Sequence, residues 1–327
     1  MRHHLLSMLP RILKDESRLQ MRETADICSR VLKLTPQFPG KVRLTDAVAR
    51  IAASTTAPWG TCSPEKGAMI RVNLNDRIER QMWGGCYEPH VQRSLGVLLS
   101  PGDVFVDIGA HIGYHAVVGA MLVGSQGRVF AFEADSGNFG RLQDHLAPFP
   151  WCTAINKAVW SCGGAGVFER SSQPGESGWG TLTMVRDLKC GDHVAIDTIS
   201  LDDWLSENKL GSISAMKVDA EGSEVSIFRG AVEFLKRMRP TVIFEANDVV
   251  LRQANTSVLD LTEIFYGHSY RLFELGAGTI EPLGRGEHPQ CSELLGLPEE
   301  RARATVARFR QSGFWMQDSE TKAKGIA

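Results

Sequence analysis

The chain has 327 residues, of which 43% are hydrophobic and 23% charged, with a formal charge of −2. That length and apolar content suit one large core, or a main domain with a small companion, and so little net charge gives no electrostatic basis for nucleic acid or an anionic membrane as the principal partner. The seven cysteines, Cys28, Cys62, Cys86, Cys152, Cys162, Cys190 and Cys291, are odd in number and contain no C-x-x-C pair, so they read as reduced thiols and not as a disulfide frame or zinc site.

From the N-terminus, Leu5, Leu9, Ile12 and Leu13, and later Ile27, Val31, Leu32 and Leu34, recur at helical spacing. The apolar run Leu5 to Leu9 meets Pro10 and then charged residues, which argues against an export signal and for a cytoplasmic protein. Pro36, Pro39 and Gly40 interrupt, and Thr45 is placed to cap a further helix through Ala53. The stretch Ser54 to Gly67 reads as a linker, and Met69 to Leu74 alternates as an edge strand would. This reading gives a helical appendage and linker over 1–66, a main domain over 67–298, and a C-terminal helix with a disordered tail over 299–327.

The main domain opens with its most informative run, Gly102 to Asp135. Val104, Phe105, Val106 and Ile108 predict a strand, Gly109 and Gly113 a turn, and Tyr114 to Val123 a helix. A second, buried strand over Arg128 to Phe132 delivers Glu133 at its carboxyl edge, where a carboxylate can accept both hydroxyls of a ribose. The same run holds Asp107, two histidines and several glycines, so it is no membrane span.

The turn discriminates between nucleosides. Dinucleotide sites use G-x-G-x-x-G, whose second glycine admits a pyrophosphate. Here Asp107-Ile108-Gly109-Ala110-His111-Ile112-Gly113 spaces its glycines four apart behind an acid. A carboxylate at Asp107 repels a pyrophosphate and suits a cationic amino group, which favours S-adenosylmethionine over NAD. A βαβ unit that binds nothing stays open as a third reading. The candidate cofactor contacts are Asp107, Gly109, Ala110, His111, Gly113, Glu133 and Ala134.

Further strands are expected over Thr153 to Val159, Ala215 to Asp219 and Thr241 to Ala246, alternating with helices to give a mostly parallel sheet covered on both faces. An insertion from Gly163 to Thr198 is expected to shape the substrate pocket, and Tyr270 to Leu275 with Glu293 to Leu297 to close the sheet antiparallel. Asp219 and Glu245 end the fourth and fifth strands. On neighbouring strands about 4.8 Å apart they face a common point, where two acids share a proton, hold a cation or accept a substrate hydroxyl. Asp219, Glu221 and Glu245 are therefore the catalytic candidates. The plainer alternative is a helix-capping Glu221 among structural hydrogen bonds. His111 and His115 stand four apart at the helix start, but a metal there would compete with a cationic ligand, so His115 is weighed as an acceptor-side base against simple packing. His90, His145, His193, His268 and His288 have no partner evident in the sequence.

Several segments then match one family in order: Gly85-Cys86-Tyr87-Glu88-Pro89, PGDVFVDIGAHIGY, GRVFAFEAD, NKAVW from Asn156, ESGWGTL from Glu176, LDDW from Leu201, MKVDAEGSEVSIFRGA from Met216 and PTVIFEAN from Pro240. Over about Met69 to Leu283 the chain resembles the FkbM family of S-adenosylmethionine-dependent methyltransferases. The resemblance implies a class I, Rossmann-like methyltransferase fold. It also implies cofactor contacts that include Glu88, Ala158 and Asp219, with Tyr87, Ser177 and Trp179 on the acceptor side. The family usually has asparagine at the position of His111, a departure that bears on the polar contacts of the loop. Methyl transfer needs an acceptor stripped of its proton. Metal-free proton transfer is the first reading, and a divalent metal at Asp219 and Glu245, as in catechol O-methyltransferase, the second. The expected reaction is O-methylation of a small molecule, sugar or natural-product intermediate. An NAD-dependent oxidoreductase and a catalytically silent cofactor-binding protein are the alternatives.

Overall fold

The computed structural model describes residues 27–56, 58–170, 180–184 and 193–314. Contacts divide the chain into two compact units, the first ending at Pro89 and the second beginning at His90.

The first unit contains helix α1 (27–34), helix α2 (Lys41–Thr56), strands β1 (Trp59–Cys62) and β2 (Ile70–Asn73), and helix α3 (Arg77–Gly84). Thr45 does not cap a helix as expected. Helix α2 starts four residues earlier, and Thr45 is fully buried against Gly84, where an added Cβ would lie 2.2 Å from its Cγ2. The expected linker holds β1, which pairs antiparallel with β2 from Trp59↔Asn73 to Cys62↔Ile70. Asp76 caps α3, accepting from the Glu79 amide, and Arg80 joins α3 to Asp46 of α2 at 2.8 Å. The hairpin and α3 therefore belong with the helices, and the boundary falls at Pro89 instead of residue 66.

The second unit is an α/β sandwich. After α4 (Pro89–Leu98) come β3 (Val104–Ile108), α5 (Tyr114–Val123), β4 (Arg128–Phe132), α6 (Ser136–Leu146) and β5 (Cys152–Ile155). The short strands β6 (Ala158–Val159), β7 (Gly164–Arg170), β8 (Gly180–Met184) and β9 (His193–Ile199) follow. Next are α7 (Leu201–Glu207), β10 (Ala215–Val218), α8 (Glu224–Arg229), α9 (Val232–Met238), β11 (Thr241–Glu245), α10 (Asp248–Gln253) and α11 (Val258–Gly267). The unit ends with β12 (Tyr270–Leu275), β13 (Ile280–Leu283), β14 (Glu293–Pro298) and α12 (Glu299–Gln311).

Eight strands form the main sheet in the order β13-β12-β14-β11-β10-β3-β4-β5, parallel from β11 to β5, with β14 antiparallel between β11 and β12. The chain builds outward from β3 to β5 and then restarts on the other side with β10. The carboxyl ends of β3 and β10 thus flank the switch point where such sheets bind ligands. This is the class I methyltransferase arrangement, and its strands are buried on both faces, as helices on both sides require.

Three details differ from the sequence reading. The third strand is split: β5 joins the main sheet, but β6 pairs with β9 in a separate sheet ordered β6-β9-β7-β8. Asn156 lies at the break, its Nδ2 donating to the carbonyls of Glu133 and Ala134 at 2.8 and 3.1 Å. Strand β13 extends the sheet beyond the expected closing pair, antiparallel to β12, and α12 buries Ala302, Thr305 and Phe309 against the same unit. Among the described residues, no helix is long and apolar enough to cross a membrane.

Candidate active site

Past the end of β3 the chain turns so tightly that only glycine fits. Gly109 has φ +76°, and a Cβ on it would lie 1.7 Å from the Asp219 carbonyl oxygen. Its amide and that of Ala110 donate to the Phe132 carbonyl at 3.1 and 2.9 Å. His111 follows at φ +51°, a left-handed conformation that asparagine tolerates better than most residues, and its amide donates to Glu133 Oε2 at 2.8 Å. That contact is made by the backbone, so histidine in place of asparagine preserves it. The Asp135 amide donates to Glu133 Oε1, also at 2.8 Å. Two backbone donors thus orient Glu133, and each oxygen keeps a further lone pair. Burial is the main cause that pushes its pKa up to about 8.

Asp107 is 1% exposed, no hydrogen bond closes on either of its carboxylate oxygens, and the Ala116 amide in the first turn of α5 is the backbone donor that faces it. Burial raises its pKa to about 6, against the pull of Lys217 and with the push of Asp219. Lys217, opposite Asp107 in the β3–β10 register and itself buried, places its ammonium 2.8 Å from Asp219 Oδ2. His115 lies buried in the first turn of α5, edge-on to Tyr114. Burial, then the nearby Lys217 and His90, lowers its pKa well below the usual imidazole range, so it is a neutral ring.

The carboxyl edge of the sheet brings Asp219, Glu221 and Glu245 together, with oxygens within 4.8 Å of one another. Phe244 pairs with Val218, so the next residues, Glu245 and Asp219, are neighbours, and on the other side Glu245 pairs with Glu293. The two flanking acids each face a basic group: Lys217 at Asp219, and His90 Nε2, 3.6 Å from Glu293 Oε2. Glu293 is held below the usual carboxylate range because His90 and Ser292 outweigh its burial. Glu245, between them, is raised to about 9 by burial and by Asp219, Glu221, Glu224 and Glu293, so at neutral pH it carries a proton. The spacing of the trio would admit a cation, but the Lys217 ammonium already holds one Asp219 oxygen. Glu221, at φ +45°, does not cap α8. Glu224, the first residue of α8, instead ties down the loop before it, its Oε1 accepting from the amides of Ala220 and Gly222 at 3.0 and 3.3 Å.

These raised values carry a stability prediction. A carboxyl whose folded pKa exceeds its unfolded value of about 4.3 destabilises the fold progressively as pH climbs between the two. For Glu224 (about 7), Glu133 (about 8) and Glu245 (about 9), the melting temperature should therefore fall as pH rises from the ordinary carboxyl range towards about 9. Glu245→Gln should flatten the upper part of that slope in thermal melts, and an unchanged slope would contradict the assignment.

Tyr87 and Glu88, both half-buried, end the first unit, with Glu88 at φ +38°. Ala110 and Ala158 are buried, Ala134 is half-buried, and Ser177 and Trp179 lie outside the described residues. The structure adds Lys217, His90, Glu293, Asn156 and His145. The strand alternation that put Lys217 and Asp219 on one face was visible in the sequence. The partner of His145, the Ile112 carbonyl at 2.7 Å, was not.

Both the turn and the acid cluster fall within residues 107–272, which match the model of the methyltransferase FkbM domain. The chain belongs to the FkbM methyltransferase family. It is thus an S-adenosylmethionine-dependent methyltransferase, which sets aside the NAD-dependent reading. It is similar to the 2-O-methyltransferase NoeI of Sinorhizobium fredii, with 25% identity over 215 residues, 60% of this chain and 87% of that one. It is 26% identical over 142 residues to the hexuronic acid methyltransferase AglP of Haloferax volcanii, covering 43% of this chain and 55% of AglP. The crystal structure of the FkbM methyltransferase of Methylobacillus flagellatus aligns with a TM-score of 0.39 and 18% identity, over 67% of this chain and 54% of that chain.

Proposed function

We propose that the protein moves the methyl group of S-adenosylmethionine to a hydroxyl oxygen of a small, sugar-like acceptor. The observation that carries this reading is the row of acids at the sheet edge, in which Lys217 holds one oxygen of Asp219 while Glu245 stands beside it among other carboxylates. Carboxyls in different environments can take different parts in proton transfer, and the Lys217 contact sets Asp219 apart from Glu245. The cofactor supplies a methyl group on a cationic sulfur, released by in-line displacement. The chain's part is to hold and to deprotonate. Glu133, with its spare lone pairs, accepts the ribose hydroxyls, and the buried Asp107 meets the amino group. Asp219 accepts the proton of the acceptor hydroxyl as its oxygen attacks the methyl carbon, and Glu245 donates a hydrogen bond to a neighbouring acceptor oxygen. The names of NoeI and AglP, one a 2-O-methyltransferase and one acting on a hexuronic acid, support oxygen as the atom methylated and a saccharide as its bearer.

The test is transfer of a labelled methyl group from S-adenosylmethionine to hexuronic acids and neutral hexose glycosides. Asp219→Asn should lower the rate by about a hundredfold or more, the usual worth of general-base catalysis, while S-adenosylhomocysteine still binds within a few-fold. Full turnover in that variant would refute the assignment, and tight binding without product from any acceptor would favour a silent cofactor-binding protein.

The same reading sets a pH dependence for binding. Asp107 and Glu133 must be ionised to meet the ligand, so affinity for S-adenosylhomocysteine should climb through about 6 and again through about 8, then level off. Calorimetry in buffers of different ionisation enthalpy should detect proton release below that plateau. An affinity that stays flat from acid to alkaline pH would count against both contacts.

A further inference from the structure

The cofactor loop is held from one side by a residue outside the sheet edge. His145 lies in the last turn of α6, 9% exposed, with Nδ1 2.7 Å from the Ile112 carbonyl oxygen. A carbonyl can only accept, so Nδ1 carries the proton and donates. Leu142, one turn earlier on the same face, packs where a Cβ on Gly113 would lie 2.7 Å from its Cδ1. At the other end of α6, Asp135 accepts from the amides of Gly137 and Asn138, and its own amide donates to Glu133. The contacts close a ring: Glu133 to the His111 amide, the carbonyl of the following residue, Ile112, to His145, and back through α6 and Asp135 to Glu133.

We propose that His145 is a positioning residue for the cofactor, which fixes the Ile112 carbonyl and so holds His111 in the left-handed conformation that aims its amide at Glu133. The inference rests on the reading of Glu133 as the ribose acceptor. His111 holds positive φ, a conformation that glycine and asparagine adopt most readily, and a fixed carbonyl one residue on limits how far the loop can relax from it. Free of His145, the peptide between Ile112 and Gly113 can rotate, the loop relaxes around His111, and Glu133 loses one of the two donors that orient it.

The experiment is calorimetric titration of the full chain with S-adenosylhomocysteine, at a temperature well below every variant's melting point. His145→Phe keeps the ring without the N–H and should weaken binding about tenfold or more. His145→Asn, whose amide reaches the same carbonyl, should stay within about threefold. Should His145→Phe fail to fold, His145→Leu takes its place. Placing His111→Asn in the His145→Phe background should restore most of the affinity, because asparagine tolerates the conformation unaided. The control is His268→Leu, which removes a bond of the same kind and length, from Nδ1 to the Ile264 carbonyl at 2.7 Å, far from the loop in sequence. It should lower the melting point without changing affinity. Unchanged affinity in His145→Phe, or equal losses in His145→Phe and His268→Leu, overturns the inference. Absence of heat with the wild-type protein would instead defeat the Glu133 reading, and the His145 inference with it.

Discussion

Asp107→Asn should weaken S-adenosylhomocysteine binding by roughly ten- to a hundredfold, the 1.5–3 kcal/mol of a hydrogen bond to a charged group, and leave the melting temperature at or above that of the wild type. The two halves have one cause. Both carboxylate oxygens of Asp107 are buried with the Ala116 amide as their facing backbone donor, and the ammonium of Lys217, which lowers the Asp107 pKa, is bonded to Asp219. A carboxylate in that position weakens the free protein and becomes an asset only when a cationic group arrives, the usual relation between stability and a prepared site. Asparagine keeps the volume and removes the charge. Calorimetry and thermal melts on the same preparation read both halves. Undiminished affinity would remove Asp107 from the cofactor site, and a marked fall in melting temperature would make it a structural residue.

What the sequence disclosed follows from the range of the interactions concerned. Helix α5 begins at Tyr114 and ends at Val123 as read, because glycines at both ends and an unbroken apolar run fix it locally. The β3-turn-α5-β4 unit, the acid at its end and the pairing of Asp219 with Glu245 were readable for the same reason, since alternation and register decide which side chains share a face. The failures lie where a distant group decides. Thr45 resembles a cap, but the helix runs through it because Gly84 leaves it a buried niche. Residues 153–159 look like one strand until Asn156 turns to the carbonyls after β4. Glu221 and Glu224 are equivalent in sequence, and only the folded loop shows which carboxylate takes the amides of Ala220 and Gly222. His90 with Glu293, and His145 with Ile112, join elements far apart in the chain, and no local pattern marks such pairs.

Gly109→Ala should be the most damaging single methyl group that can be added to the site. Two penalties add there. A left-handed φ costs an L residue about 1–2 kcal/mol, and overpacking a rigid contact costs about 1–3 kcal/mol more. The clash is severe because the atom met, 1.7 Å from the ideal Cβ, is the Asp219 carbonyl oxygen, which is backbone and cannot rotate away as a side chain would. Gly286→Ala separates the two terms, since Gly286 also has positive φ, at +82°, but nothing within 4 Å of its Cβ position. Urea unfolding should show Gly109→Ala less stable than Gly286→Ala by about 1–3 kcal/mol, the overpacking share alone. Where enough Gly109→Ala still folds, both S-adenosylhomocysteine binding and methyl transfer should be lost, because pushing Asp219 away disturbs the cofactor turn and the proton-accepting edge through the same contact. Equal stabilities for the two variants would mean that β3 and β10 can separate at their ends, and the turn and the acid row would then be independent structures.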